Sequence, residues 1–373
     1  MRVALVLAGP YPDLRGSQVL VRHLADGIRG RGHTVHLVTY GAMPSGRPGP
    51  RLDRVALDAA LTLRLLRTVR RRAIDVIHAH NYEAAIASLV VGWATRRPVV
   101  YHGHNALAEE LPMYFRSARA RRLAHRIGLV ADTQVPRRAD FCIAVSDELG
   151  TLLRGRGVAE SHLACISPAA TPDETGTAAT DPTSSGLVCY AGNLDGYQNL
   201  EFLLATFARV RARVPDARLV IVTHAAPECT SPALERAAGV EVVRAGSYDE
   251  VRALLDASDV AVCPRAERSG FPMKLLNYMA AGKAIVASAG SAKGLRDGVT
   301  GRVVADGDVE GFAAAVVDFL RDREARRRFG AAARRAVEDP DAWEAVLDRI
   351  EAIYRLVLAR RAAPARIPIF VQE

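Results

Sequence analysis

Residues Cys263–Ser288 read CPRAERSGFPMKLLNYMAAGKAIVAS. A short strand ends at Cys263, a glycine-containing loop follows, and a helix starts near Pro272. Ala281-Gly282 then leads into a second apolar run. Strand, helix and strand in that order make a parallel unit, because parallel neighbours need a crossover connection. Backbone N–H groups near Gly270 and Phe271, at the front of the helix, suit a phosphate or a sugar hydroxyl. Lys274 stands in the first helical turn, where its charge opposes the helix dipole and so points to a partner anion. One turn on, Asn277 is placed to hydrogen-bond a ribose.

The same alternation extends both ways. Downstream of residue 186 the strand candidates are Leu187–Tyr190, Arg218–Val222, Val240–Val243, Val260–Cys263, Ala284–Ala287 and Arg302–Val304. Helical patterns cover Leu200–Arg213, Asp249–Ala257 and Lys274–Ala281. Upstream, strands are expected at Arg2–Leu7, Thr34–Thr39, Val76–His78, Val99–His102, Phe141–Val145 and Leu163–Ile166. Helices are expected at Gln18–Gly30, Leu57–Arg71 and Glu83–Ala94. Such repetition means parallel sheets with right-handed crossovers and helices on both faces.

The chain has 373 residues, which at roughly 150 residues per domain predicts two domains. The expected division is a first doubly wound domain over 1–170, a polar Pro/Gly/Thr-rich linker over 171–186 and a second such domain over 187–340. A terminal segment, 341–373, carries a helix with apolar residues at Trp343, Val346, Leu347, Ile350, Ile353, Tyr354 and Val357. That spacing is helical, and the helix is long enough to reach back to the first domain. Ligands of open α/β sheets bind at the carboxyl ends of the strands, so the expected site is the cleft between the domains.

Composition narrows the function. The chain is 49% hydrophobic and 24% charged, ordinary for a globular protein and wrong for a disordered one. The longest apolar stretches are too short to cross a bilayer. Gly9, Pro10 and Pro12 follow the first apolar run at once, which reads as a buried strand rather than a signal peptide. Cys142, Cys165, Cys189, Cys229 and Cys263 are scattered, with neither a disulfide framework nor metal-ligand spacing. A cytoplasmic protein with reduced thiols is expected.

The net charge is +9, and residues 1–185 hold 24 Arg, no Lys and 16 Asp or Glu. The excess sits in Arg64–Arg72 and Arg116–Arg126. Such a half can meet an anionic membrane surface peripherally or an acidic substrate; otherwise it is a solvated helix face. Nucleic acid is not expected, since no aromatic residues interleave with the arginines. A dinucleotide fingerprint, a Walker A loop and a GxSxG elbow are all missing.

Two further stretches carry candidate chemistry. Gly9–Ser17 joins the first strand to a helix, a place where N–H groups approach an anion and Arg15 adds charge. Tyr101–Asn105 (YHGHN) follows the fourth strand, where a neutral imidazole can bond a sugar hydroxyl or take a proton. His78 and His80 follow the third strand and point the same way, one expected to pack and the other to line the cleft.

Taken together, YPDLRGSQVLVRHLADGIRGRGHTVHLVT, DVIHAH, YHGHN, RRADFCIAVSDEL, YAGNLDGYQNLEFLL, SGFPMKLLNYMAAGKAIVAS and DGVTGRVV resemble the retaining glycosyltransferases of family 4, over nearly the whole chain. The resemblance implies a GT-B fold: two Rossmann-like α/β domains facing across a cleft, with a C-terminal helix crossing back. It implies transfer of a sugar from a nucleotide-diphosphate sugar, UDP or GDP, with retained configuration and without a metal. No cofactor is implied beyond that donor. The acceptor, whether glycan, lipid-linked or a small natural product, is not implied.

By the same resemblance, Arg15, Gly16 and Ser17 lie against the donor phosphates and His104 lies near the donor sugar, with Asn105 beside it as the second candidate catalytic residue. Gly270 and Phe271 present backbone to the sugar. The chain departs from the family at four positions. Ser269 and Asn277 stand where the family has two Glu residues, and Asn193 and Gln198 stand where it has a phosphate-binding Arg and Lys. Losing two cations weakens a diphosphate site unless something compensates. Lys274 is the leading candidate, with Arg265, Arg268 and Lys293 as helpers. Two other classes stay open: a non-catalytic partner protein of the same fold, and a sugar-nucleotide 2-epimerase, for which Glu109-Glu110 is the only evident source of acidic groups.

Overall fold

A computed structural model describes residues 1–13, 15–42, 52–171, 174, 185–225, 230–339 and 341–362. Most of the expected linker, and Cys229, lie outside them.

The first sheet has six parallel strands: β1 (Arg2–Leu7), β2 (Thr34–Val38), β3 (Val76–His80), β4 (Val99–Gly103), β5 (Phe141–Ala144) and β6 (Leu163–Cys165). Their spatial order is β2-β1-β3-β4-β5-β6. The second sheet repeats the plan with β7 (Leu187–Ala191), β8 (Arg218–Thr223), β9 (Val240–Arg244), β10 (Val260–Cys263), β11 (Ala284–Ser288) and β12 (Arg302–Val304), in the order β12-β11-β10-β7-β8-β9. The central strands are buried on both faces, which is why they read as unbroken apolar runs rather than alternating ones. The result is a two-domain α/β architecture.

Three first-half helices, α1 (Gly16–Gly30), α2 (Leu52–Arg72) and α3 (Tyr82–Thr95), follow the strands as crossovers. A one-turn helix, α4 (Leu107–Glu110), and the long α5 (Ala118–Gln134) come next. Helix α5 coincides with the arginine run at 116–126, whose charge obscures its apolar period; Ser117 caps it by accepting from the Ala120 N–H. The remaining helices are α6 (Asp147–Gly155), α7 (Leu200–Arg213), α8 (Pro232–Arg236), α9 (Tyr248–Asp256), α10 (Met273–Ala280), α11 (Val309–Arg321), α12 (Arg323–Arg335) and α13 (Ala342–Ala362).

Helix α10 explains the stretch that decides the fold. Met, Lys, Leu and Ala favour the helix, and Pro272 stands just before it. Gly282 ends it at φ +65°, a left-handed conformation in which a side chain would be strained.

Helix α13 leaves the second half and buries Trp343, Leu347, Ile350 and Tyr354 in one core with Val3, Leu5, Leu24 and Val100. A Cβ on Gly27 would sit 2.7 Å from Leu347 Cδ1, so a larger residue there would have to displace the Leu347 side chain. Arg31 pairs with Glu344 and Asp348, and His33 Nε2 meets Glu351 at 2.9 Å, fixing the same contact at its edge.

Each sheet reverses its winding once, between β1 and β3 in the first and between β7 and β10 in the second. Such switch points open a crevice at the carboxyl ends of the strands.

Candidate active site

Both crevices face one cleft of about 570 Å³. Gly9, Pro10 and Asn81 line it from the first switch point; Gly192, Asn193, Asp195 and Arg265 line it from the second. His104, Asn105 and Glu110 add the loop after β4 and helix α4.

The cations are spaced around this cleft. Lys274 Nζ donates to Gln198 Oε1 at 2.8 Å and lies 3.9 Å from the centre of the Tyr190 ring. Burial lowers its pKa to about 8, so the ammonium form prevails at neutral pH. Helix α10 thus delivers a cation to the residue that stands in place of the family's lysine. Arg265 stacks over Tyr197, pairs with the Glu267 carboxylate and keeps a buried Nε without a partner among the described residues. Arg15 crosses from the first half to Asp195 at 3.1 Å. Burial raises the Asp195 pKa, and Arg15 works against that rise.

Most of the expected site residues converge here. Arg15, Gly16, Ser17, His104, Asn105, Asn193, Gln198, Phe271, Lys274 and Asn277 all line the cleft. Asn193 Nδ2 donates to Tyr197, and the buried Asn277 Oδ1 has no partner among the described residues. Four expected residues do not line it. Arg268 is 72% exposed and pairs with Asp306, so we assign it no donor contact. Ser269 is buried between the halves: its hydroxyl donates to Glu267 and accepts from the Ala106 N–H, while its carbonyl accepts from Ser146. Gly270 backs onto the His104 carbonyl and the Arg265 guanidinium. Lys293 pairs with Glu148 at 2.5 Å, away from the cleft, and is no phosphate helper.

The histidines correct another expectation. His80 lies within β3, as His78 does at the end of the expected strand, and both are fully buried. They form a ladder with β4: Tyr354 Oη to His78 Nδ1 at 2.6 Å, His78 Nε2 to His102 Nδ1 at 3.1 Å, and His80 Nδ1 to His104 Nε2 at 3.0 Å. Only His104 reaches the cleft. Burial pushes His104 down to about 4 and His78 to about 3, so these imidazoles are neutral at physiological pH. Ring nitrogens of His78, His80 and His102 lie within 4.8 Å of one another, a grouping that strand pairing creates and spacing in sequence conceals. The His78 and His80 rings are stacked, with centroids 4.5 Å apart.

Sequence reasoning passed over Asp195, Tyr197, Tyr114 and Glu267, which also line the cleft. Asp195 and Tyr197 sit in the same loop as Asn193 and Gln198. Glu267 stands two residues before Ser269, and its carboxylate is the one that the Ser269 hydroxyl contacts.

Comparison with known proteins agrees with this architecture. The sequence model "Glycosyltransferase Family 4" matches residues 14–174, and "Glycosyl transferases group 1" matches residues 185–322. A phosphatidyl-myo-inositol mannosyltransferase of Mycolicibacterium smegmatis is 26% identical over 96% of this chain and 94% of its own. An N-acetyl-alpha-D-glucosaminyl L-malate synthase of Bacillus anthracis is 24% identical over 93% and 96%. Among solved structures, sucrose-phosphate synthase of Thermosynechococcus elongatus superposes with a TM-score of 0.77 at 18% identity, over 96% of this chain and 100% of that one. Anabaena HepE, solved with UDP and glucose, superposes at 0.72 with 16% identity, over 95% and 100%. The chain belongs to the family 4-like glycosyltransferases of GT-B fold.

Proposed function

We propose that the protein moves a sugar from a nucleotide-diphosphate sugar to an acceptor, with retained configuration and without a metal ion. The observation that carries this is the Lys274 ammonium, held against Gln198 in the cleft. It restores a cation where the family resemblance places a phosphate-binding lysine. Arg15 and Arg265 stand on the same cleft. Cations in place before the reaction stabilise a leaving diphosphate without reorganising, which is the usual large term in such catalysis. They do for the phosphates what a divalent ion would do.

Asn277 would hold the ribose through its unpartnered Oδ1, and Phe271 would flank the sugar. His104 and Asn105 would contact the transferred sugar. A neutral His104, held by His80, offers one ring nitrogen to a hydroxyl. The cations kept on the cleft, Arg15, Arg265 and Lys274, argue against a non-catalytic partner protein. UDP or GDP is the proposed nucleotide, and the HepE complexes with UDP and UDP-glucose support the former.

The relatives' names span a lipid acceptor and a small one. Peripheral contact with a membrane is supported by exposed Ile86, Val90 and Trp93 on α3 and by Leu123, Ile127 and Val130 on α5, beside exposed arginines. Trp93 is 85% exposed, as a residue that dips into a headgroup layer needs to be. No helix among the described residues is long and apolar enough to span a membrane.

Calorimetric titration with UDP, GDP, ADP and dTDP tests the donor reading. One of them should bind, and Lys274→Ala should weaken it at least about tenfold, the worth of one charge-assisted bond. Failure of all four at millimolar concentration sinks it.

A further inference from the structure

His80 carries a ring that the histidine ladder leaves half used. Its Nδ1 lies 3.0 Å from His104 Nε2, and its Nε2 is buried with no partner among the described residues. Strand pairing creates the contact: β3 sets His80 opposite His102 on β4, and His104 follows two residues later, where β4 has ended. His80 has no exposed surface, while His104 lines the cleft. His80 takes up His104 Nε2, so Nδ1 is the nitrogen that His104 has left for a ligand.

Counting protons fixes which nitrogen carries each. Burial lowers the pKa of both rings, His104 to about 4, so each ring has one N–H and one lone pair. One of the two protons fills the bond between the rings. If His104 Nε2 donated, the proton of His80 would sit on its own Nε2, a buried N–H with no acceptor. Orphaned buried N–H groups are rarer in proteins than underused acceptors. If His80 Nδ1 donates, its Nε2 is a bare lone pair, and the second proton stands on His104 Nδ1, where a ligand can accept it. Only this second arrangement hides no donor.

We propose that His80 is a positioning residue that holds His104 in its Nδ1–H form, so that the cleft receives a hydrogen-bond donor and not a base. The oxygen it meets belongs to the transferred sugar; this assignment of the oxygen rests on the donor reading above. An N–H in this place grips a sugar hydroxyl through a lone pair and leaves that hydroxyl's own proton free to donate elsewhere. It cannot accept the proton of an attacking hydroxyl, so His104 serves recognition of the sugar rather than proton transfer. A sugar without that oxygen leaves the N–H unpaired and is rejected.

Nitrogen-15 spectra of protein labelled in its ten histidines test the tautomer without any substrate, with His104→Gln assigning the signal. His104 Nδ1 should show a protonated, pyrrole-type shift and Nε2 a bare, pyridine-type one. His80→Asn puts an amide N–H close to the place of Nδ1, so it should keep that pattern. His80→Phe removes the donor and should release His104 to the Nε2–H form that free histidine prefers. Transfer rates, taken with a sugar donor built on whichever nucleotide binds, supply the second readout. His80→Phe should lose about five- to tenfold in kcat/KM, the worth of one hydrogen bond. Its affinity for the nucleoside diphosphate, which carries no sugar, should not change, and His80→Asn should recover most of the loss. A bare Nδ1 in the wild type overturns the proposal, as does a tautomer that His80→Phe leaves unchanged. Full transfer by His80→Phe overturns the sugar contact. Failure of every nucleotide to bind strikes the donor reading alone, and the tautomer then stands or falls on the spectra.

Discussion

Arg15 and Asp195 form an ion pair across the cleft, with Nη1 3.1 Å from Oδ2. They come from opposite halves of the chain, and both are largely withdrawn from solvent. The pair ties the two walls together and offsets part of the Arg15 charge that faces the cleft. Asp195→Asn should therefore release Arg15 for phosphate and tighten nucleoside diphosphate binding roughly tenfold, as expected when one charge-assisted bond changes partner. Calorimetry reads this directly. Weaker binding in the variant would mean that Asp195 itself contacts the nucleotide.

Lys274 makes a prediction with two opposite signs. Its pKa falls from 10.5 to about 8 in the folded chain, so the folded protein holds that proton less tightly than the unfolded one. The charge costs stability below pH 8, and the cost fades as pH rises from about 8 towards 10.5. Lys274→Met should raise Tm at pH 7 by a few degrees, roughly the effect of 1 kcal/mol, and abolish the diphosphate contact. In the wild type, diphosphate affinity should fall as pH rises past 8. Lys274→Arg should keep its affinity through that range.

The histidine ladder predicts acid sensitivity. His78 and His104 titrate near 3 and 4 in the folded protein, and burial lowers His80 and His102 as well. Unfolded histidine titrates near 6.5. Below that pH the unfolded chain takes protons that the folded chain refuses, so stability is intact above 6.5 and is lost as pH falls towards 4. Each such imidazole adds about 1.4 kcal/mol per pH unit. Denaturant midpoints between pH 7 and 4.5 would show the slope, and His102→Met should make it shallower. A slope unchanged by His102→Met would place the acid sensitivity elsewhere.

Gly27 and Leu347 test the seat of the terminal helix. Gly27→Ala should cost about 1–3 kcal/mol through overpacking, although alanine is the better helix former. Leu347→Ala should cost about 2–5 kcal/mol through its cavity. Together they should cost less than their sum, because the smaller residue makes room for the added methyl. Urea midpoints of the three variants decide it.

Much of the layout could be read from the chain before folding. The strand Arg302–Val304 and the helix Leu200–Arg213 fall where periodicity placed them, since apolar period survives in both. Helix α5 was legible only as an arginine run, because its arginines interrupt the apolar period. The strands β3 and β4 run two residues and one residue further than expected, since a histidine such as His80 does not look like core until its stacking is visible. Contacts across the cleft were the least legible. Arg15 and Asp195 are 180 residues apart, and Lys274 and Gln198 are 76 apart. No local pattern couples such residues; only the facing of two sheet edges does. Arg268 shows the converse, since its place beside Ser269 suggested the cleft and its side chain points to Asp306.

Helix α13 closes a core that begins with β1. The ribosome releases residues 342–362 after the whole of both sheets, so the face of the first sheet that receives Trp343 and Tyr354 stays uncovered until both sheets have been made. Throughout that interval the nascent chain presents that apolar face to its surroundings, a state that invites aggregation or a chaperone. A chain cut short at residue 340 would keep both sheets' sequences yet expose Leu24, Val100 and Ile143 permanently. Its loss would then appear as insolubility of the first domain, far in sequence from the cut.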